Sequence, residues 1–256
     1  MPTVAEIEKA LCALAPKELA QEWDNVGLLA GRPGREVARI LVSLDITEDV
    51  VREAKRQGAE LIVSHHPVLF VPTKHVTEGD LTGRILLELI EGGIAAICMH
   101  TNLDAARGGV NDALAAVLGL EQAGAAEEGG IERLGVLPEK LELPAFLARV
   151  KERLRPNGLR YVDGGRPIRR VAVGGGACGN FLYEAAARGC DAFVTADVKY
   201  NHFLDAAALG LTLVDAGHFP TEDVVCPVLV RYLRERFPGI PIEKSSSHRE
   251  VVQYYV

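Results

Sequence analysis

The chain repeats itself, and the repeat restricts it to very few folds. Arg39-Ile40-Leu41-Val42-Ser43-Leu44 reads as a strand, Thr47 as a helix cap, Gly58 as the stop of that helix and Leu61-Ile62-Val63 as the next strand. A shift of 131 residues lays Arg39 on Arg170, Gly58 on Gly189, Glu60 on Asp191, Val63 on Val194 and Ser64 on Thr195 without a gap. Beyond the second strand the offset falls to 117, Ile94 against Leu211, because the first copy has the longer loop. Two copies of a β-α-β-α-β-α order predict an α/β protein made of two similar modules. The halves are expected at residues 1–126 and 127–256.

Composition narrows the partners. The chain has 256 residues, 48% of them apolar, enough for well-buried cores. A net charge of −7 and no run of Lys or Arg longer than a pair give no footprint for nucleic acid or an anionic membrane, so a small-molecule substrate is expected. No apolar stretch approaches the roughly 20 residues that span a bilayer, and Glu6 and Glu8 stand where a signal peptide would be basic, so the protein is expected in the cytoplasm. Cys12, Cys98, Cys178, Cys190 and Cys226 form no CxxC pair and read as reduced, buried thiols.

Around the repeat, Thr3-Val4-Ala5-Glu6 is a capping box that opens a helix with Val4, Ile7, Leu11 and Leu14 on its apolar face. Trp23, the only tryptophan, reads as a core anchor in preference to a site residue, and Asp24-Asn25 as a turn into a short strand. Glu121 to Gly130 reads as a linker, followed by a strand at 131–137, a helix at 143–154 and a strand at 159–162. A helix at 227–237 and a strand at 250–256 are expected to end the chain.

In open α/β sheets the functional side chains lie beyond the carboxyl ends of strands. His65 and His66 follow the second strand of the first copy, His100 and Asp104 its third strand, and His218 and Glu222 the third strand of the second copy. Imidazoles mixed with carboxylates, without cysteine, suit a divalent transition metal, and this many ligands suit two ions bridged by a carboxylate and a water. Taken singly, the His-His pair could be a hydrogen-bonded loop, Asp104 a helix cap and Glu222 a first-turn acid; their shared placement favours a common metal site. His202 falls in an expected helix of the second copy and is a weak candidate to approach that site. His75, in a polar loop, and His248, beside a serine run, are left out. Gly174-Gly175-Gly176 with Gly179 follows a strand and precedes a helix; a tight turn is favoured there over a phosphate cradle. Asp197 and Lys199 stand where the first copy has its histidine pair, as a proton-transfer or orienting group or as a surface ion pair.

The segments Trp23-Asp24-Asn25-Val26-Gly27-Leu28, Ser64-His65-His66-Pro67, His100-Thr101-Asn102-Leu103-Asp104, Thr195-Ala196-Asp197-Val198-Lys199-Tyr200 and Gly217-His218-Phe219-Pro220-Thr221-Glu222 together resemble the Nif-three-like family, often described as GTP cyclohydrolase I type 2 homologs. The resemblance covers nearly the whole chain. It implies two divalent ions per chain (Zn, Fe, Mn or Ni) in a cleft between two α/β domains, with His65, His66, Asp104, His218 and Glu222 as ligands and the status of His100 open. It also implies a homohexameric ring whose sites face an inner cavity. Relatives with a domain inserted between the halves differ from this chain, which has no room for one. For activity the resemblance implies hydrolysis by a metal-bound hydroxide, with His100, Asp197 and Lys199 as candidate helpers. Against GTP itself stands the shortage of phosphate-binding groups, the Gly174 loop and Lys199 being the only candidates. Two functions follow: a metal-dependent hydrolase of a small, nucleotide-like substrate, or a ring-forming metal-binding or regulatory protein without turnover.

Overall fold

Thr3 accepts from the Glu6 amide while the Glu6 carboxylate accepts from the Thr3 amide, so the capping box forms and starts the helix Val4–Leu14, which buries Val4, Ile7 and Leu11. The structure, a computed structural model, describes residues 1–255. In chain order its strands are β1 (Gly27–Ala30), β2 (Ile40–Ser43), β3 (Leu61–Ser64), β4 (Ala95–Cys98) and β5 (Glu121–Ala125), then β6 (Arg133–Leu141), β7 (Arg160–Val162) and β8 (Ile168–Val173), then β9 (Ala192–Thr195), β10 (Thr212–Asp215) and β11 (Ile242–Lys244). They form two sheets, ordered β1-β4-β3-β2-β11 and β5-β6-β8-β9-β10-β7.

Unit 1 comprises residues 1–107 and 226–249 and holds the first sheet. β2, β3 and β4 are parallel and wholly buried, as their continuous apolar runs require of strands covered on both faces. The helices Glu48–Gln57 and Leu81–Glu91 pack on this sheet around Leu41, Ile62, Val50, Ile85 and Leu89. Gly58 takes the left-handed conformation that ends the first of them. Unit 2 comprises residues 108–225 and 250–256 and holds the second sheet. Its core joins Leu114, Leu118, Phe146, Val150, Val171 and Val194.

The repeat is written into the hydrogen bonds. Ile40 is in register with Leu61 as Val171 is with Ala192, and Leu61 with Ala95 as Ala192 with Thr212. Glu60 accepts from the Ala38 and Arg39 amides, and its counterpart Asp191 from those of Arg169 and Arg170.

Some elements fall where the sequence did not place them. The two compact units are interleaved along the chain. The helix Val110–Leu118 contributes to the unit 2 core, whereas the helix Cys226–Arg236 packs with β11 and β2, and β11 extends the first sheet in parallel with β2. Each copy's third helix therefore belongs to the other copy's unit. The stretch expected to be a linker contains β5, which pairs antiparallel with β6 at the sheet edge. Residues 250–255 form no strand, and Val256 lies outside the described residues. None of the five cysteines is in a disulfide among the described residues; Cys98, Cys190 and Cys226 are buried, but Cys12 and Cys178 are only partly so. No described helix is long and apolar enough to cross a membrane.

Candidate metal centre

In unit 1 the chain leaves β3 at Ser64, whose hydroxyl donates to the His66 carbonyl and folds the histidine pair back over the strand end. His65, His66 and His100 come together with ring centroids 4.9, 5.2 and 5.6 Å apart, and their nearest ring nitrogens all lie within 4.8 Å of one another. His65 is fully buried. Its Nδ1 lies 2.7 Å from the Met99 carbonyl, which can only accept, so Nδ1 carries the proton and Nε2 presents a lone pair. Nε2 of His65 is 3.6 Å from the carboxylate of Asp104, on the short helix Thr101–Ala105. Asn102 ties that helix down by donating to the Ala15 carbonyl.

The same pattern holds the other rings. His66 Nδ1 is 2.7 Å from Asp45 Oδ1, and His100 Nδ1 is 2.8 Å from Asp24 Oδ1. Burial alone would raise the Asp24 pKa, but the bonds from His100 and from the Thr101 hydroxyl and amide outweigh it and hold the carboxyl well below the ordinary range. Asp45 is pulled the same way: burial opposes ionisation, and the bonds from His248 and His66 overcome it. Both carboxylates stay ionised acceptors, so each ring donates from Nδ1 and turns Nε2 away.

Unit 2 supplies a second set. His218 and Glu222 lie one turn apart on the short helix His218–Glu222, with His218 Nε2 2.9 Å from Glu222 Oε2 and His218 Nδ1 2.6 Å from Asp197 Oδ2. Asp197 occupies the left-handed region at φ 50, which an aspartate tolerates at some strain; such strain concentrates at working sites. It therefore orients His218 and forms no ion pair with Lys199, which stands exposed. The glycine loop packs against this helix. A Cβ on Gly176, itself at φ 64, would sit 2.1 Å from Glu222 Oε1, and one on Gly175 would sit 3.2 Å from the Glu222 side chain. The Gly175 amide donates to Asn111 and the Gly176 amide to Thr221, so these donors are already spent. The loop is a tight turn, made of glycine so that Glu222 can approach.

Four imidazoles thus share one device, an Nδ1 held against a carbonyl or carboxylate, which is how metal-binding histidines are oriented. The donor set, imidazole and carboxylate without thiolate, fits a divalent first-row metal. The Duf34/NIF3 (NGG1p interacting factor 3) family profile matches residues 2–250. The chain belongs to the Duf34/NIF3 family. A Clostridium perfringens relative called GTP cyclohydrolase 1 type 2 homolog is 35% identical over 225 residues, 85% of each chain. The solved structure of a Bacillus cereus protein related to NIF3 superposes with a TM-score of 0.92 at 26% identity, covering 99% of both chains. That of a Staphylococcus aureus hypothetical protein does so with 0.93 at 30%, again over 99% of both.

Several residues around the imidazoles escaped the sequence, His248 and Trp23 among them. His248, set aside there, places Nε2 2.7 Å from Asp45 Oδ2, so one carboxylate is shared by His66 and His248. The preceding serines explain its position. The buried Glu53 carboxylate accepts from the Ser245 hydroxyl, the Ser246 amide and hydroxyl and the Ser247 amide, pinning the loop that delivers His248. A serine run is a poor sequence signal, because only folding shows which buried acid it serves. Trp23 is the second, and its expected role as a core anchor is overturned: it is 61% exposed, with its ring edge-on to His100 and Phe70. Its neighbour Asp24, spent on His100 and Thr101, leaves the tryptophan on the outside of the turn. His202 is buried in the helix Tyr200–Leu209 against Gly179, and its Nδ1 has no hydrogen-bond partner.

Proposed function

We propose that the protein is a metal-dependent hydrolase of a small substrate, with two divalent ions held by His65, His66 and Asp104 of unit 1 and His218 and Glu222 of unit 2. The observation that carries the reading is the common anchoring of the imidazoles through Nδ1. Divalent ions bound there would supply Lewis acidity and activate water near neutral pH. The chain's own residues do the rest: Asp45 and Asp197 fix the rings of His66 and His218, the Asp24 carboxylate fixes His100 beside the ligands, and the Gly175–Gly176 turn lets Glu222 in. The relatives' name points to GTP. The glycine loop argues against a triphosphate, since its amides at Gly175 and Gly176 are committed within the fold.

Metal analysis of the gently purified protein tests the site, and clearly less than one ion per chain would count against it. Turnover is tested on the metal-loaded protein with GTP, phosphoesters and cyclic amides. Activity that disappears in a folded His66→Ala variant supports the hydrolase; metal without turnover of any of these, together with capture of a protein partner, supports the regulatory reading. The family resemblance adds a homohexamer, which light scattering on the eluted protein checks.

A further inference from the structure

Two large aromatic side chains stand in solvent beside the imidazole cluster. Trp23 is 61% exposed and Phe70 51% exposed. With His100 they make three mutually edge-on rings, with centroids 5.8, 6.1 and 6.0 Å apart and interplanar angles of 79°, 74° and 89°. Edge-to-face packing is a favoured aromatic geometry, and it leaves ring faces open to a further ring.

The pair is held in place. Asn25 Nδ2 donates to the Leu69 carbonyl at 2.6 Å, locking the segment that carries Phe70 to the one that carries Trp23. Asp24, between Trp23 and Asn25, binds His100 and the Thr101 amide. The turn Trp23-Asp24-Asn25 therefore positions an exposed indole, a metal-side imidazole and an exposed phenyl ring at once. Ordering apolar rings without burying them gains little for folding, and a contiguous exposed aromatic patch marks a binding surface. A flat ring resting on it lies next to His100, whose own ring is 5.2 and 5.6 Å from His65 and His66.

We propose that Trp23 and Phe70 are the stacking wall of the substrate site, and that the substrate carries a planar aromatic ring. The proposal rests on the hydrolase reading for the word substrate, but the wall is a binding site in its own right. A second copy of the chain is the competing occupant, since Val71 and Leu81 further along are also exposed. The place of the rings beside His100, whose own ring touches His65 and His66, suits a ligand that must reach the imidazoles.

Trp23 is the only tryptophan, so it reports directly. The purified full-length protein is titrated with guanosine, with ribose as the ring-free control, and followed by indole fluorescence and calorimetry. Saturable quenching by guanosine but not by ribose is expected, with the dissociation constant raised about tenfold or more in Phe70→Ala, the usual consequence of losing one stacked ring. Trp23→Leu, read by calorimetry, is expected to weaken binding likewise. Absence of saturable quenching, equal quenching by ribose, or full affinity in both variants overturns the wall. A fall in oligomer mass in Phe70→Ala also overturns it, assigning the rings to a second copy. Guanosine binding with no hydrolysis of any substrate would sink the hydrolase reading and leave the wall standing, whereas turnover with an unchanged KM in both variants would do the reverse.

Discussion

Glu53 offers a quantitative test of how the chain builds its second layer around His66. The side chain is 3% exposed, yet it is ionised: burial opposes this, and the donors from Ser245, Ser246 and Ser247 override burial and bring its pKa down to about 2 from an ordinary 4.5. That gap corresponds to about 3 kcal/mol of stability in the folded state. The sign follows from linkage. A carboxyl with a depressed folded pKa contributes fully above the unfolded value of 4.5, and the contribution drains away as pH falls toward 2. In Glu53→Gln one of the two oxygens becomes an NH₂ group. Ser245 Oγ and Ser247 N bond to Oε2, and Ser246 N and Oγ to Oε1, so whichever way the amide points, a backbone N–H faces a donor. Urea unfolding at pH 7 is expected to show a penalty of about 2–3 kcal/mol for Glu53→Gln, shrinking as pH falls below 4.5 and vanishing only toward pH 2 as the wild type loses its own advantage. The same variant frees the loop that presents His248 to Asp45, so its metal affinity is expected to fall as well. A penalty below about 0.5 kcal/mol at pH 7, the size of an ordinary surface substitution, or one that is independent of pH, would refute the argument.

Other substitutions probe the remaining supports. Asp45→Ala removes the partner of both His66 and His248, and metal affinity measured by competition with a chelator is expected to drop about 10–100-fold, as for other residues that orient ligands. Asp197→Ala is expected to do the same through His218, while Asp197→Gly relaxes the backbone at φ 50 and so separates the two effects: it should be the more stable of the pair by about 1 kcal/mol in thermal unfolding, yet bind metal equally poorly. Gly176→Ala places a methyl group 2.1 Å from Glu222 Oε1 at a left-handed backbone, and bound metal per chain is expected to fall with little change in overall helix content by circular dichroism.

The parts of the fold that were legible in the sequence are those dictated by short-range rules. The capping box of Thr3 and Glu6, the left-handed stop at Gly58 and the apolar runs of β2, β3 and β4 are local, and the sequence marks each to within a residue or two. The fate of each third helix was not. Val110–Leu118 and Cys226–Arg236 carry similar amphipathic patterns, and nothing local says whose sheet each will cover. Residues 121–125 read as a linker because an exposed edge strand needs no apolar alternation. Trp23 misled for a related reason: size and apolarity favour the core, but Asp24 is drawn to His100 and Thr101 and turns its neighbour outward. The ligand candidates were legible because strand ends are marked by the loss of the apolar run, whereas Glu53 and His248 act through bonds that join residues nearly two hundred positions apart.

The repeat also shows how one scaffold acquired two unequal roles. The 131-residue shift lays Asp45 on Gly176 and His66 on Asp197. In unit 1 the first position carries the carboxylate that orients the histidine at the second. In unit 2 the first position is stripped to a glycine so that Glu222 can close in, and the second has become the carboxylate that orients a histidine elsewhere, His218. The strand-end hydroxyl is kept but its acceptor changes: Ser64 donates to the His66 carbonyl, whereas Thr195 donates to the carbonyl of Gly176, the counterpart of Asp45. The side chains that face the site and those that support it change places as well. Replacing Asp197 by histidine to mimic unit 1 therefore adds no useful ligand: it puts an imidazole where Gly176 offers no carboxylate to orient it and removes the anchor of His218 at the same time. Such a variant is expected to bind less metal than the wild type, and binding more would show that the two supports are interchangeable after all.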